Sequence, residues 1–149
     1  MSLHRMIYYS RQTPAVTQDL DAQVRKIIQV SIANNRADDI TGLLLTVQGF
    51  FVQALEGSPK AVQTAYGRIL NDPRHIDAAV ISAGAAERRL FSDWNMCARA
   101  IAPSDKAILD VIDKKGPFDP RLLSQESALR LLTTVAGIQR RTALSALAG

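Results

Sequence analysis

The sequence predicts an α+β chain: a ferredoxin-like βαββαβ unit with an added fifth strand, two helices on one sheet face, and a C-terminal helical tail. Three observations lead there. β-Branched and aromatic runs alternate with two amphipathic stripes in the order β-α-β-β-α-β-β through about residue 100. An apolar pair of runs, ITGLLLTV and FFVQALE, lies between the two stripes and reads as an antiparallel hairpin turning at Gln48-Gly49. Beyond Pro103 the periodicity is helical.

Each element has its own signal. LHRMIYYS, residues 3–10, is strand-like and ends at the polar, proline-containing RQTPAVT. Thr17 is placed to cap a first helix, on which Leu20, Val24, Ile27, Ile28 and Ile32 form one stripe, and the helix should end near Asn34-Asn35. The first hairpin arm is apolar enough to be buried on both faces. Ser58-Pro59 supplies an N-cap with proline at the first helical position. Val62, Ala65, Tyr66, Ile69 and Leu70 then make a second stripe, stopped by Asn71-Asp72-Pro73. HIDAAVISAGA and the segment around DWNMCARAI supply the last two strands. A short helix should begin at Ser104 and run through Ile108, Val111 and Ile112 to Lys114-Lys115-Gly116-Pro117. A longer one covers about residues 124–147, with a stripe of Leu129, Leu132, Val135 and Ile138. Either the free face of the sheet or another chain must cover that stripe, which makes a homo-oligomer an expectation.

At 149 residues, 47% hydrophobic and 21% charged, the composition is that of a globular protein with one core. No apolar run approaches the roughly 18–20 residues of a membrane span, and the N-terminus passes straight into strand-like sequence, so no membrane association and a cytoplasmic location are expected. A single cysteine, Cys97, excludes an intrachain disulfide framework, and His4 and His75 alone are too few for a histidine-based metal cage. Although the pI is near 9.6, no nucleic-acid partner is expected. Residues 1–99 hold 11 Lys/Arg against 9 Asp/Glu, and residues 100–149 hold 7 against 5, so no segment forms a basic block.

The chemistry concentrates in a few polar residues among apolar ones. Strand alternation puts Gln53 on one face with Phe51 and Leu55, where an amide without partners costs about 1–3 kcal/mol. Met6, Tyr8 and Ser10 share a face of the first strand, which neighbours the third in this topology, so the Tyr8 hydroxyl can reach the amide. The pair can be a self-satisfied polar spot in the core, or part of a ligand site. Asn34 and Asn35 at the end of the first helix, and Arg68 and Asp72 at the end of the second, stand near the aliphatic Ile27 and Ile69. That set suits the edge and faces of a flat heteroaromatic ring. Helix-ending asparagines, an i,i+4 ion pair and two core isoleucines account for the same residues, and on pattern alone that plainer reading is preferred.

In order and spacing, LHRMIYYS, NNRADDITGLLL, GFFVQALEG, YGRILNDPRH and RLFSDWNM closely resemble the BLUF domain, a sensor of blue light that uses FAD. The resemblance covers about residues 1–100 and is to short members with a small helical tail, residues 101–149 here. It implies a photoreceptor and not an enzyme. Tyr8 matches the photoactive tyrosine and Gln53 the switching glutamine. Asn35, with Asn34 beside it, matches the residue bonding the flavin pyrimidine edge; Arg68 and Asp72 match polar residues on that edge. Ile27 and Ile69 match the side chains that sandwich the ring, and Arg74 and His75 lie in the segment near the ribityl and phosphate part. Trp94 and Met96 match last-strand residues that compete for the place beside the glutamine. The recognised edge is common to FAD, FMN and riboflavin. Ala86 departs from the pattern, standing where members often carry a larger aliphatic residue, which bears only on packing under the last strand. Signalling through an unidentified downstream protein partner is implied. Two other classes compete: an acylphosphatase-like hydrolase using Arg74 and Asn35 around a phosphate, and an interaction module without photochemistry.

Overall fold

The structure, a computed structural model, describes residues 2–47, 49–91, 98–100 and 119–148. Its strands are β1 (His4–Gln12), β2 (Thr41–Val47), β3 (Phe50–Gly57), β4 (His75–Ala85) and β5 (Ala98–Ala100). Its helices are α1 (Pro14–Gln18), α2 (Leu20–Ala37), α3 (Pro59–Leu70) and α4 (Gln125–Ala148). The sheet order is β4-β1-β3-β2-β5. Four strands are mutually antiparallel, and β5 joins β2 in parallel, so the ferredoxin-like order and the added strand are both present. The short helix expected from Ser104 lies outside the described residues.

Alternation sorts each strand onto two cores. Met6, Tyr8, Leu44, Phe51 and Leu55 face Val16, Ile27, Val62 and Ala65 of the helices α1 to α3. Ile7, Leu43, Leu45, Val52 and Ala54 face Phe91 and, from α4, Ala128, Leu131, Leu132, Val135 and Ala136. Each large apolar side chain so enclosed contributes about 1.5–3 kcal/mol relative to exposure. α4 therefore covers the second sheet face within the same chain. Leu129, Leu132 and Val135 of the expected stripe pack there, and that stripe no longer gives a reason to invoke a second copy.

α3 starts as its local signals predict, with Ser58 Oγ accepting from the Ala61 amide at 3.2 Å, whereas those at the first helix do not hold. Thr17 lies inside the separate turn α1, and α2 follows Asp19, which makes no side-chain cap. α2 ends at Ala37, two residues beyond Asn35 and so near the expected place. Asp39 takes the left-handed conformation (φ 55°), and the Ile40 amide returns to the Asn35 carbonyl at 2.8 Å, a C-terminal closure usually built on glycine. Gly49 (φ 87°) shapes the hairpin turn. Gly42 has another reason: a Cβ there would overlap the Ala54 carbonyl oxygen on the paired strand.

One polar cluster lies among these apolar layers. Glu56 is fully buried and accepts from Arg5 Nε at 2.9 Å, from the Leu90 and Phe91 amides at 2.8 and 2.9 Å, and from Thr41 Oγ1 at 3.3 Å. Arg89 adds Nη1 to Thr41 Oγ1 at 2.9 Å and Nη2 to the Asp39 carbonyl at 2.8 Å. A carboxylate taken from water is tolerated when its lone pairs are filled in this way. The cluster fastens the chain after β4 to the centre of the sheet.

Candidate functional site

β1 and β3 are adjacent central strands, and their register sets Tyr8 directly opposite Gln53. Both side chains point to the helical face. The Tyr8 hydroxyl donates to Gln53 Oε1, and Tyr8 is fully buried. Burial, followed by the neighbouring Tyr66 and Asp72, pushes the Tyr8 phenol well above its ordinary pKa. It is therefore a neutral donor at any working pH.

Beside this pair a cavity of about 270 Å³ opens between α2 and α3. Gln53 and Leu55 form its floor, Ile27 and Asn35 one wall, Ile69 and Arg68 the opposite wall, and Asp72, Arg74 and His75 its far end. Asn35 and Gln53 are each only 4% exposed, so two amides are held in an otherwise apolar interior. Asn34 also lines the cavity but is only half-buried. The structure thus gathers Gln53 and the eight residues expected to hold a cofactor around one cleft, with Tyr8 bonded behind Gln53. Trp94 and Met96 lie outside the described residues. Val30, Ser31 and Ala65 complete the lining. The sequence marks Ala65 only as part of a helical stripe and gives no sign of Val30 or Ser31, because small or exposed residues on a helix carry no chemical signal.

The charged residues do not pair as the spacing suggested. Arg68 reaches Asp38 at 3.2 Å instead of Asp72. Asp72 is taken by Arg74, whose Nε and Nη2 meet the carboxylate at 2.9 and 2.8 Å while its amide donates to Oδ1 at 3.0 Å. Burial alone would raise the Asp72 pKa; the Arg74 hydrogen bonds and charge outweigh it and hold the carboxyl below its usual range. With its guanidinium bound in this way, Arg74 is poorly placed to hold a phosphate in the manner of a small hydrolase. His75 is buried, with Nδ1 2.8 Å from Ser10 Oγ and its ring 4.6 Å from that of Phe51. Burial is the main reason its pKa falls to about 4, with Arg74 adding to the effect and Asp72 opposing it, so the ring is neutral near pH 7.

The residues fit the ring of a flavin. Ile27 and Ile69 supply apolar faces, Asn35 and Gln53 supply amide donors and acceptors, and the cavity, at about 270 Å³, lies just below the roughly 300–1,000 Å³ typical of small-molecule sites.

A ferredoxin-like sheet that carries an amide on the floor of such a cleft, with a phenol bonded behind it, is suited to holding a small flat molecule. Residues 3–97 match the BLUF family, sensors of blue-light using FAD, and the chain belongs to that family. Among its relatives, the photoactivated adenylate cyclase subunit beta of Euglena gracilis is 37% identical over 97 residues, which is 64% of this chain but 11% of that protein. The chain therefore spans about a tenth of the length of that relative. Of solved structures, the dark state of the BLUF protein BlrB is 28% identical with a TM-score of 0.71, covering 91% of this chain and 96% of that one. The photo-activated state of BlsA shares the fold with a TM-score of 0.80, at 22% identity over 90% of this chain and 94% of that one.

Proposed function

We propose that this chain is a blue-light photoreceptor that binds FAD non-covalently in the cleft between α2 and α3, with FMN or riboflavin able to take its place. The observation that carries the reading is the direct opposition of Tyr8 to Gln53, whose amide lies on the floor of that cleft. Bound flavin supplies the absorption of blue light and an excited state that accepts an electron. Ile27 and Ile69 enclose the ring, and Asn34, Asn35, Arg68 and Asp72 serve its polar edge. Arg74 and His75 stand toward the side chain of the cofactor. Tyr8 gives up an electron, its hydroxyl proton moves through Gln53, and their return leaves the amide rotated or tautomerised. The phenol can accept as well as donate, so either end of the amide finds a partner there and two hydrogen-bond networks become available with little change in packing.

Residues 1–100 are the photosensor in this reading and 101–149 its helical extension, with Trp94 and Met96 competing for the place beside Gln53. The reading carries with it a cytoplasmic protein that is not an enzyme and signals by contact with a downstream partner. Self-association remains part of the proposal; its support is now Ile76 and Val80, exposed on the edge strand β4. Among the described residues no helix is long and apolar enough to cross a membrane. The test is spectral. Purified protein should absorb at roughly 450 nm, as oxidised flavins do, and shift reversibly to the red under blue light. A colourless protein, or a flavin-bound one with no reversible shift, overturns the reading.

A further inference from the structure

The Tyr8 ring touches a second tyrosine, Tyr66 of α3. Their centroids are 5.2 Å apart with planes inclined at 56°. Tyr8 is sealed in the core, whereas Tyr66 is half-buried and reaches the surface. Tyr9, the third tyrosine of the chain, points to the opposite sheet face, against the α4 core. Two redox-active side chains of equal chemistry are therefore in ring contact, one beside the cleft and the other with access to water.

We infer that Tyr66 is a second electron donor, a relay through which an oxidised Tyr8 is refilled from the protein surface. The inference rests on the photochemical role proposed for Tyr8. Its step balances without a further reagent. Tyr8 as a neutral phenoxyl radical is the oxidant: it takes an electron across the ring contact and takes back through Gln53 the proton its own oxidation had given up, restoring the O–H, while the electron Tyr8 first lost stays with the flavin that accepted it. Tyr66 is the reductant: it loses that electron and releases its hydroxyl proton to water, becoming the phenoxyl radical. The donor and acceptor are the same functional group, so no large driving force stands against the exchange, and the partial exposure of Tyr66 gives its hydroxyl proton a path to water. The relay would compete with the return of the electron to Tyr8, drawing a fraction of excitations away from the signalling change.

The experiment uses the full chain with bound flavin, ring-deuterated at tyrosine to identify the radical, and freezes samples under sustained blue light for electron paramagnetic resonance. Wild type and Tyr9→Phe should accumulate a tyrosyl radical. Tyr66→Phe should lose that signal, keep the reversible red shift, and form it with a higher quantum yield. Tyr8→Phe should lose both. A wild-type protein that shifts to the red without accumulating a tyrosyl radical overturns the relay, as does an undiminished radical in Tyr66→Phe. Absence of any red shift in the wild type would instead strike the photoreceptor reading itself.

Discussion

Tyr8 and Gln53 stand directly opposite each other on the two central strands, and the phenol donates to the amide oxygen. Neither strand is free to move, because β1 and β3 are each paired on both sides and packed on both faces. A change at this pair must therefore be a change of hydrogen bonding, and the amide is the group that can make it by rotation or tautomerisation.

Gln53→Leu and Tyr8→Phe each remove one half of the pair while leaving the walls of the cleft intact. Both variants should still be yellow and should show no reversible red shift. A normal photocycle in either would reject its assigned role.

Glu56 holds three segments at once, so Glu56→Gln should cost about 3 kcal/mol, because an amide presents N–H groups where the Arg5, Leu90 and Phe91 donors require acceptors. For a chain of this size the loss corresponds to a melting temperature lower by roughly 6–12 °C. An unchanged melting curve would mean that the carboxylate contributes nothing net.

His75 gives a pH dependence with a definite sign. Its folded pKa, about 4, lies below the ordinary 6.5, so between those values the unfolded chain binds the extra proton. Its neutral burial therefore contributes stability in full above about pH 6.5, on the order of 3 kcal/mol, lost progressively as pH falls toward 4. The lowered Asp72 acts in the same direction, but below its ordinary value of 3.8, so the two windows are separate. Chemical denaturation across pH 4–7 should show the slope, and His75→Gln should flatten it.

Gly42→Ala tests the close approach of β2 to β3. The added methyl meets a backbone carbonyl that cannot turn aside without breaking the ladder, so a loss of about 1–3 kcal/mol is expected in urea unfolding. The same substitution at Gly67, where a Cβ meets nothing within 4 Å, should be neutral or stabilising because alanine favours the helix.

The sequence by itself determined the order of the elements and the face each strand residue takes, and so that Tyr8 could reach Gln53, because hydrophobic periodicity is local and strand alternation is fixed by backbone geometry; the register that sets them opposite came from the structure. Of the residues that line the cleft, Gln53 stood out as polar among apolar neighbours, Ile27 and Ile69 as aliphatic on helical stripes, and Asn34, Asn35, Arg68 and Asp72 as polar groups at helix ends, whereas Arg74 and His75 were singled out as cofactor residues only by the family resemblance. Only the tertiary structure decided which distant polar groups pair. Arg68 turned to Asp38 and left Asp72 to Arg74, Glu56 gathered donors from β1 and from the chain beyond β4, and α4 settled on the sheet in place of a partner chain. Such choices depend on which segments are brought together and how far each ion is taken from water, and neither quantity is written in the spacing of residues along one element.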